Sequence, residues 1–471
     1  MNDRVRLPIP LIAGIVAFLV YLLTMAPSLT WAHWGADGGD FITAAVTGRM
    51  PHPPGFPLYL TLARAFVLLP FRDPAWRLNL LSAVMAAGTV ALTALTLRHQ
   101  EKSPWIVLAA SLTLAFAPLF WMQALITEVY ATATFFAAWA NHESRMTSCG
   151  VRVLHRRWVL AGIVCGLGMS VHPTLVLLMP LWVVYLFFDG GRCLNHTSRI
   201  THHALRFAFY VSGVLIGLTP YFLLPLLGPW PQPWGDLRTF AGWWDVVRAR
   251  LYWGYAFGWP LADWPARLAA WAALLARQFT PVGGALVLLG GWLGWQERRS
   301  RWGTVGLLVA GGLLSLFAIG YGTSDSLLYL LPLLPLLVPL LCAGLRWLAD
   351  KGVPAWATLA LPLVLLAWNW QAVDLHRDDE AVLWYNRVLE ATPANAVLIT
   401  TRGDPYTFAL WYAQEAAGLR PDVLVIDGNL WWQESYRQYL FNRTGREAAV
   451  PEDYAVGRPL CRIVEEGVAC P

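Results

Sequence analysis

Leu7-Pro-Ile-Pro-Leu-Ile-Ala-Gly-Ile-Val-Ala-Phe-Leu-Val-Tyr-Leu-Leu-Thr-Met25 runs without a charged side chain. A second stretch, Ser103 to Thr127, is equally free of charge. At ~1.5 Å per residue, about 20 apolar residues cross the hydrocarbon core of a bilayer. Lipid offers nothing to exposed backbone groups, so a continuous apolar run closes its hydrogen bonds on itself as a helix. A membrane β-barrel would instead show short alternating strands. The first run is longer than the ~7–15 apolar residues of a signal peptide, and no small-x-small cleavage site follows it. It is therefore read as a retained span.

The rest of the chain extends this reading. Of its 471 residues, 57% are hydrophobic and 13% are charged. A soluble chain carries about 25% charged residues, so too little charge is present to cover a water-facing surface. Eleven spans are expected, near 8–26, 77–97, 104–123, 125–140, 158–171, 173–188, 205–227, 279–295, 303–321, 326–345 and 353–371. With the N-terminus inside, the cytoplasmic loops hold Arg4 and Arg6; Arg98 and Lys102; and Arg145, Arg152, Arg156 and Arg157. They continue with Arg192, Arg199 and Arg206; Arg298, Arg299 and Arg301; and Arg346 and Lys351. The short outer turns near 124, 172 and 323 hold neither Lys nor Arg, which is the positive-inside pattern. The net charge of +5 is spread over these loops and implies no nucleic-acid partner.

The expected fold class is therefore an all-α polytopic membrane protein with a small α/β tail, over residues 1–372 and 373–471. Outer loops are expected at 27–76 and 228–277. In the first, Phe56 to Leu69 is apolar but short and carries Arg64, which suits an interfacial helix. The second is rich in Trp (Trp230, Trp234, Trp243, Trp244, Trp253), a residue that favours the headgroup level. In the tail, Ala396–Thr400 and Val423–Asp427 read as strands, and Pro405–Ala416 and Leu430–Leu440 as helices. Cys461 and Cys470 either pair in an oxidising compartment or stay as thiols.

The unusual polar residues gather on the outer face. Asp37 and Asp40 flank Gly38-Gly39 at the mouth of the first span. Asp40 also suits a helix cap, which leaves Asp37 unexplained. His52 stands in Pro51-His-Pro-Pro-Gly55, where the prolines set a rigid loop. Glu128, His172 and Asp325 fall in outer turns, and Asp236, Arg248 and Arg250 in the second outer loop. Singly, each suits a cap, a solvated turn or a headgroup anchor. Ionisable groups at membrane depth are functional candidates by default. Together they fit a carboxylate base that takes a proton from an attacking hydroxyl. A cationic group would then steady a departing phosphate. No compact metal-ligand spacing is present, and the need for a divalent metal is open.

The order Asp37-Gly-Gly-Asp40-Phe41, His52-Pro-Pro-Gly55 and Arg77-Leu-Asn79-Leu80 resembles the protein O-mannosyltransferase-like family, within the GT-C superfamily. Members show Asp-Ser-Gly-Glu, His-Pro-Pro-Gly and Arg-x-Asn-Leu at similar spacing. The likeness continues through Glu128-Val-Tyr130, His172-Pro-Thr174, Trp234-Gly-Asp236, Asp325, Gly403-Asp404 and Arg420-Pro-Asp422. It implies a multi-pass glycosyltransferase of the cell membrane, here a bacterial inner membrane. Such an enzyme moves a sugar, mannose in animal members, from a polyprenyl-phosphate donor to a hydroxyl acceptor outside, with inversion. Asp37 and Asp40 would carry catalysis. His52, Glu128, His172, Arg248 and Arg250 would hold the donor phosphate or line the cavity. Arg77, Asn79, Asp236 and Asp325 would be structural or acceptor-side. Asp40 replaces the family's common Glu, which leaves open which aspartate is the base. The acceptor is a protein, a lipid or a surface polysaccharide. A transporter or flippase of a polyprenyl-linked sugar is the rival class, although no inverted repeat is visible.

Overall fold

The structure, a computed structural model, describes residues 8–146, 151–188, 196–226, 231–298, 300–464 and 467–470. Arg4, Arg6, Arg192, Arg299 and Trp230 lie outside the described residues, as do the side chains of Arg152 and Arg199. Helix runs through each of the eleven apolar segments. Among the described residues, five helices are long and apolar enough to cross a membrane: Pro74–Arg98, His203–Leu226, Arg301–Gly320, Ser326–Asp350 and Ala355–Val373. Leu261–Gln278 and Thr280–Gln296, bent by 94°, make a sixth if counted as one broken span. Ile9–Thr24, Pro57–Val67, Pro104–Ala115 and Pro173–Phe187 are shorter apolar helices.

Proline and glycine explain much of this segmentation. Pro118 forces Ala117 into extended backbone (ψ 125°), so one apolar run becomes Pro104–Ala115 and Pro118–Gln123. The helices Val151–Val171 and His196–Gly217 meet along two pairs of glycines spaced four apart. A Cβ on Gly162 would lie 2.1 Å from the Tyr210 carbonyl oxygen, and one on Gly217 would lie 2.3 Å from that of Ile163. Only glycine allows two helix backbones this close, which is how apolar helices associate where lipid supplies no hydrophobic drive.

Among the described residues, the tail contains four strands: β1 (Val397–Thr400), β2 (Leu424–Asp427), β3 (Leu460–Val464) and β4 (Gly467–Ala469). Their order is β2-β1-β3-β4, with β1 parallel to both neighbours and β3 antiparallel to β4. The β3–β4 hairpin has no counterpart in the sequence reading. β3 is a five-residue strand, Leu-Cys-Arg-Ile-Val, interrupted by Arg462, and only Cys461 and Ile463 of it are buried. Cys461 and Cys470 form a disulfide across this hairpin.

The tail does not hang free. Leu375 N–H donates to the Thr24 carbonyl at the end of the first helix (2.8 Å). Trp31 of the first outer loop packs on Trp384 and Tyr406 of the tail, with ring centroids 5.2 and 5.3 Å away. Arg49 of the same loop pairs with Glu415 (3.3 Å) and lies over the Trp411 ring. These contacts set one face of the α/β unit against the loop that holds Asp37.

Candidate active site

The helix Gly38–Thr47 starts directly after Asp37. Asp40 therefore sits inside its first turn rather than capping a helix from Phe41. Its neighbour Gly39 touches the tail, where a Cβ would lie 2.3 Å from the Phe408 carbonyl oxygen. That close approach brings the tail helix Asp404–Trp411 to the edge of the loop.

Asp40 is buried, at 2% exposure. Its carboxylate accepts from the His52 backbone N–H (2.8 Å) and pairs with His52 Nδ1 (2.9 Å). The Trp234 indole N–H faces the other oxygen at 3.5 Å. On the far side of the ring, His52 Nε2 lies 3.5 Å from an Asp37 oxygen. A neutral imidazole has one donor nitrogen and one acceptor, whereas an imidazolium donates from both. Two flanking carboxylates thus select the charged form. Burial alone would lower the pKa of His52, but Asp37 and Asp40 outweigh it and raise it to about 9. For Asp37, removal from bulk water raises the pKa, against the opposing pull of His52. The Phe408 ring stacks along the His52 imidazole (6.2 Å, 8°), and Phe41 and Phe56 pack against it.

Asp37 and His52 open onto a cleft of about 660 Å³. The Asp37 side chain is 32% exposed, and that exposed part lines the cleft. Glu128, His172, Asp325 and Arg248 line the same cleft, so residues from five separate segments converge there. His172 bonds Thr174 Oγ1 (2.7 Å) and packs between Tyr130 and Tyr329. One wall is aromatic, from Tyr130, Tyr252, Tyr255, Phe317, Tyr321 and Tyr329. Arg248 is paired with Asp245 (3.1 Å to Nε), and its guanidinium lies 4.6 Å from the centre of the Trp253 ring. The arrangement presents one cation at the cleft wall in a fixed orientation.

The other sequence candidates sit elsewhere. Asp40 is behind His52 and does not line the cleft. Arg250 points away, 62% exposed, and pairs with Asp245. Asp236 pairs with Arg238 at the surface (2.8 Å). Arg77 donates to the carbonyls of Val67, Phe71 and Arg72, which ties down the end of the first outer loop. Asn79 donates to the carbonyls of Ala26 and Ser28 and accepts from Thr127 Oγ1 (2.7 Å). Both hold the loop in place.

Asp404 was not among the candidate site residues, yet it lines the cleft beside Asp37 and His52. It begins the helix after β1, at the carboxyl end of that strand. The connection leaving β1 leads to β2 on one side of it and the connection leaving β2 crosses to β3 on the other, a switch point of the kind where open α/β units bind ligands. The sequence signal was the Gly403-Asp404 pair. Trp34 is a second omission; it lines the cleft with 45% exposure. His33 and Trp34 take left-handed backbone (φ 56° and 65°), a strained conformation of the kind that clusters at functional sites. Among the described residues, no group of three or more His, Cys, Asp or Glu is placed to hold a metal ion.

Residues 37–193 match the family model described as "Protein O-mannosyl-transferase TMEM260 N-terminal domain", and residues 384–455 match "TMEM260-associated domain 2". A protein O-mannosyl-transferase tmem260 from Dictyostelium discoideum is 27% identical over 241 residues, covering 48% of this chain and 28% of that protein. The TMEM260 protein O-mannosyl-transferase of Mus musculus is 25% identical over 463 residues, covering 88% of this chain and 62% of its own length. The chain thus spans less than two thirds of the length of these relatives. The fold is that of ArnT from Cupriavidus metallidurans. The structure bound to undecaprenyl phosphate superposes with a TM-score of 0.59 at 13% identity, over 92% of this chain and 94% of ArnT. The apo structure of the same protein gives 0.58 at 12% identity.

Proposed function

We propose that this chain, a member of the protein O-mannosyltransferase-like family within the GT-C superfamily, is a membrane glycosyltransferase that uses a polyprenyl-phosphate sugar. The observation that carries the reading is the Asp40–His52–Asp37 relay opening onto a cleft with an aromatic wall and a fixed arginine. Asp37 is the base. It accepts the proton of an acceptor hydroxyl as that oxygen attacks the anomeric carbon of the sugar. The bond from that carbon to the phosphate oxygen breaks, and polyprenyl phosphate leaves with the bonding electrons. Attack opposite the leaving group inverts the configuration at that carbon. Arg248 and the His52 imidazolium face the charge that grows on the phosphate. Asp40 positions His52 and keeps it charged. Glu128 and His172 shape the cavity beside the aromatic wall, against which an isoprenoid chain arriving from the bilayer can lie.

The site faces outward in this reading. The basic loops and the Cys461–Cys470 disulfide both support an extracytoplasmic tail, since disulfides persist in oxidising compartments. Mannose is the first sugar to test, because the relatives carry it in their names. The acceptor is a hydroxyl on a protein, lipid or polysaccharide that enters past Trp34 and Asp404. The test is to incubate the purified chain with a panel of polyprenyl-phosphate sugars and measure released polyprenyl phosphate. Release from one of them is expected. Movement of the intact labelled donor across vesicles with no release would instead favour a transporter.

A further inference from the structure

A second cavity lies at the other end of the same helices. On Tyr130–Arg145, Tyr130 lines the cleft while Asn141 and Arg145 line this cavity, a separation of roughly 17–22 Å along the helix. On Arg301–Gly320, Phe317 and Gly303 divide in the same way. The cavity holds about 780 Å³, more than the cleft. Its floor is apolar, with Leu181, Leu307 and Leu336 among its residues, and all three are buried. Its rim carries Glu297, Arg346, Asp350 and the indoles of Trp302 and Trp347. An apolar floor beneath an aromatic and charged rim matches the depth profile of a lipid at a membrane–water interface.

Two side chains in it lack the partners their chemistry calls for. Asn141 is 5% exposed, and its side-chain oxygen has no hydrogen-bond donor among the described residues. A buried acceptor without a donor is unfavourable, so the position favours a ligand that donates. Arg145 lies over the Tyr185 ring (5.7 Å) and makes no ion pair among the described residues. Arg346, by contrast, is already paired with Glu101 (3.3 Å). Asn141 and Arg145 are four residues apart and share one face of their helix. One ligand satisfies both if it offers an anionic phosphate and an N–H donor a few ångströms apart.

We propose that this cavity binds the headgroup of an amine-bearing zwitterionic phospholipid. The phosphate rests on Arg145. The ammonium donates to the Asn141 oxygen and faces the carboxylates of Glu297 and Asp350, and the acyl chains run over the leucine floor. The site is separate from the cleft, and its occupancy is measurable without any turnover.

The test uses the full chain purified in detergent and mixed with phosphatidylethanolamine, phosphatidylcholine or phosphatidylglycerol, with retained lipid counted by native mass spectrometry. Phosphatidylcholine has the same phosphate and charge but no N–H, so it isolates the donor requirement. One retained phosphatidylethanolamine is expected, with at least tenfold less phosphatidylcholine or phosphatidylglycerol. Arg145→Ala should lower retention by tenfold or more, while Arg145→Lys, which keeps the charge, should largely preserve it. Equal retention of the three lipids, or unchanged retention in Arg145→Ala, would overturn the proposal. Displacement of the lipid by millimolar free phosphoethanolamine would also overturn it, by showing a site for a soluble amine phosphate.

Discussion

His52 stands between two carboxylates. In the proposed reaction Asp37 must be ionised to accept a proton, whereas His52 must stay protonated to face a phosphate. The raised pKa of Asp37 means that transfer falls as pH drops through a value above the ordinary carboxylate pKa of about 4. The raised pKa of His52 means that its charge is lost only as pH climbs through about 9. The pH–rate profile should therefore be a bell between these limbs. Asp40→Asn removes a hydrogen bond and a negative charge from His52, so the alkaline limb should move to lower pH; it also removes a like charge near Asp37, so the acid limb should move the same way. A profile in which both limbs stay fixed would contradict the positioning role. Asp404→Asn removes a like charge near Asp37, so the acid limb should move to lower pH. The sequence exposed Asp37, Asp40 and His52 as candidates because charged residues at membrane depth are rare. It did not show which aspartate reaches open space, since both sit in the same short motif. Burial makes that distinction, with Asp40 behind the imidazole and Asp37 in front of it.

At the scale of elements, most apolar helices were legible because they are runs with little or no charge inside them, and prolines and glycines mark their breaks. The contact between Gly39 and the tail helix Asp404–Trp411 was not legible. It joins residues far apart in the chain, and no local pattern reports which helix will press on a glycine. Gly39→Ala should place a methyl into the Phe408 carbonyl and push the tail from the first outer loop. A loss of about 1–3 kcal/mol in stability is expected, as for other overpacked sites, read as a lower Tm in detergent. A variant with an unchanged Tm would show that the tail is held elsewhere. The glycine pairs in Val151–Val171 and His196–Gly217 make a similar prediction. Gly166→Val would meet the Val214 carbonyl, since a Cβ there already lies 2.3 Å away. The two helices should then separate, with a loss of folded yield measurable by size-exclusion profile.

At the scale of the whole molecule, the α/β tail is one wall of the cleft, and the sidedness of the protein decides which compartment that cleft serves. Arg and Lys in alternate loops predict an outer tail, and so does the disulfide. Alkaline phosphatase fused after Pro471 should be active, and a green fluorescent protein fused there should be dark; the reverse pattern would invert the topology. The central claim is that the cleft releases polyprenyl phosphate by chemistry that depends on Asp37. General-base catalysis contributes about 10²–10⁴-fold, so Asp37→Asn should fall by at least that order while folded yield and donor binding persist. The most direct measurement is release of polyprenyl phosphate from labelled polyprenyl-phosphate mannose by wild type and Asp37→Asn, side by side at one pH between the two limbs. Release by the wild type and almost none by the variant is expected. Equal release by both proteins would contradict the claim.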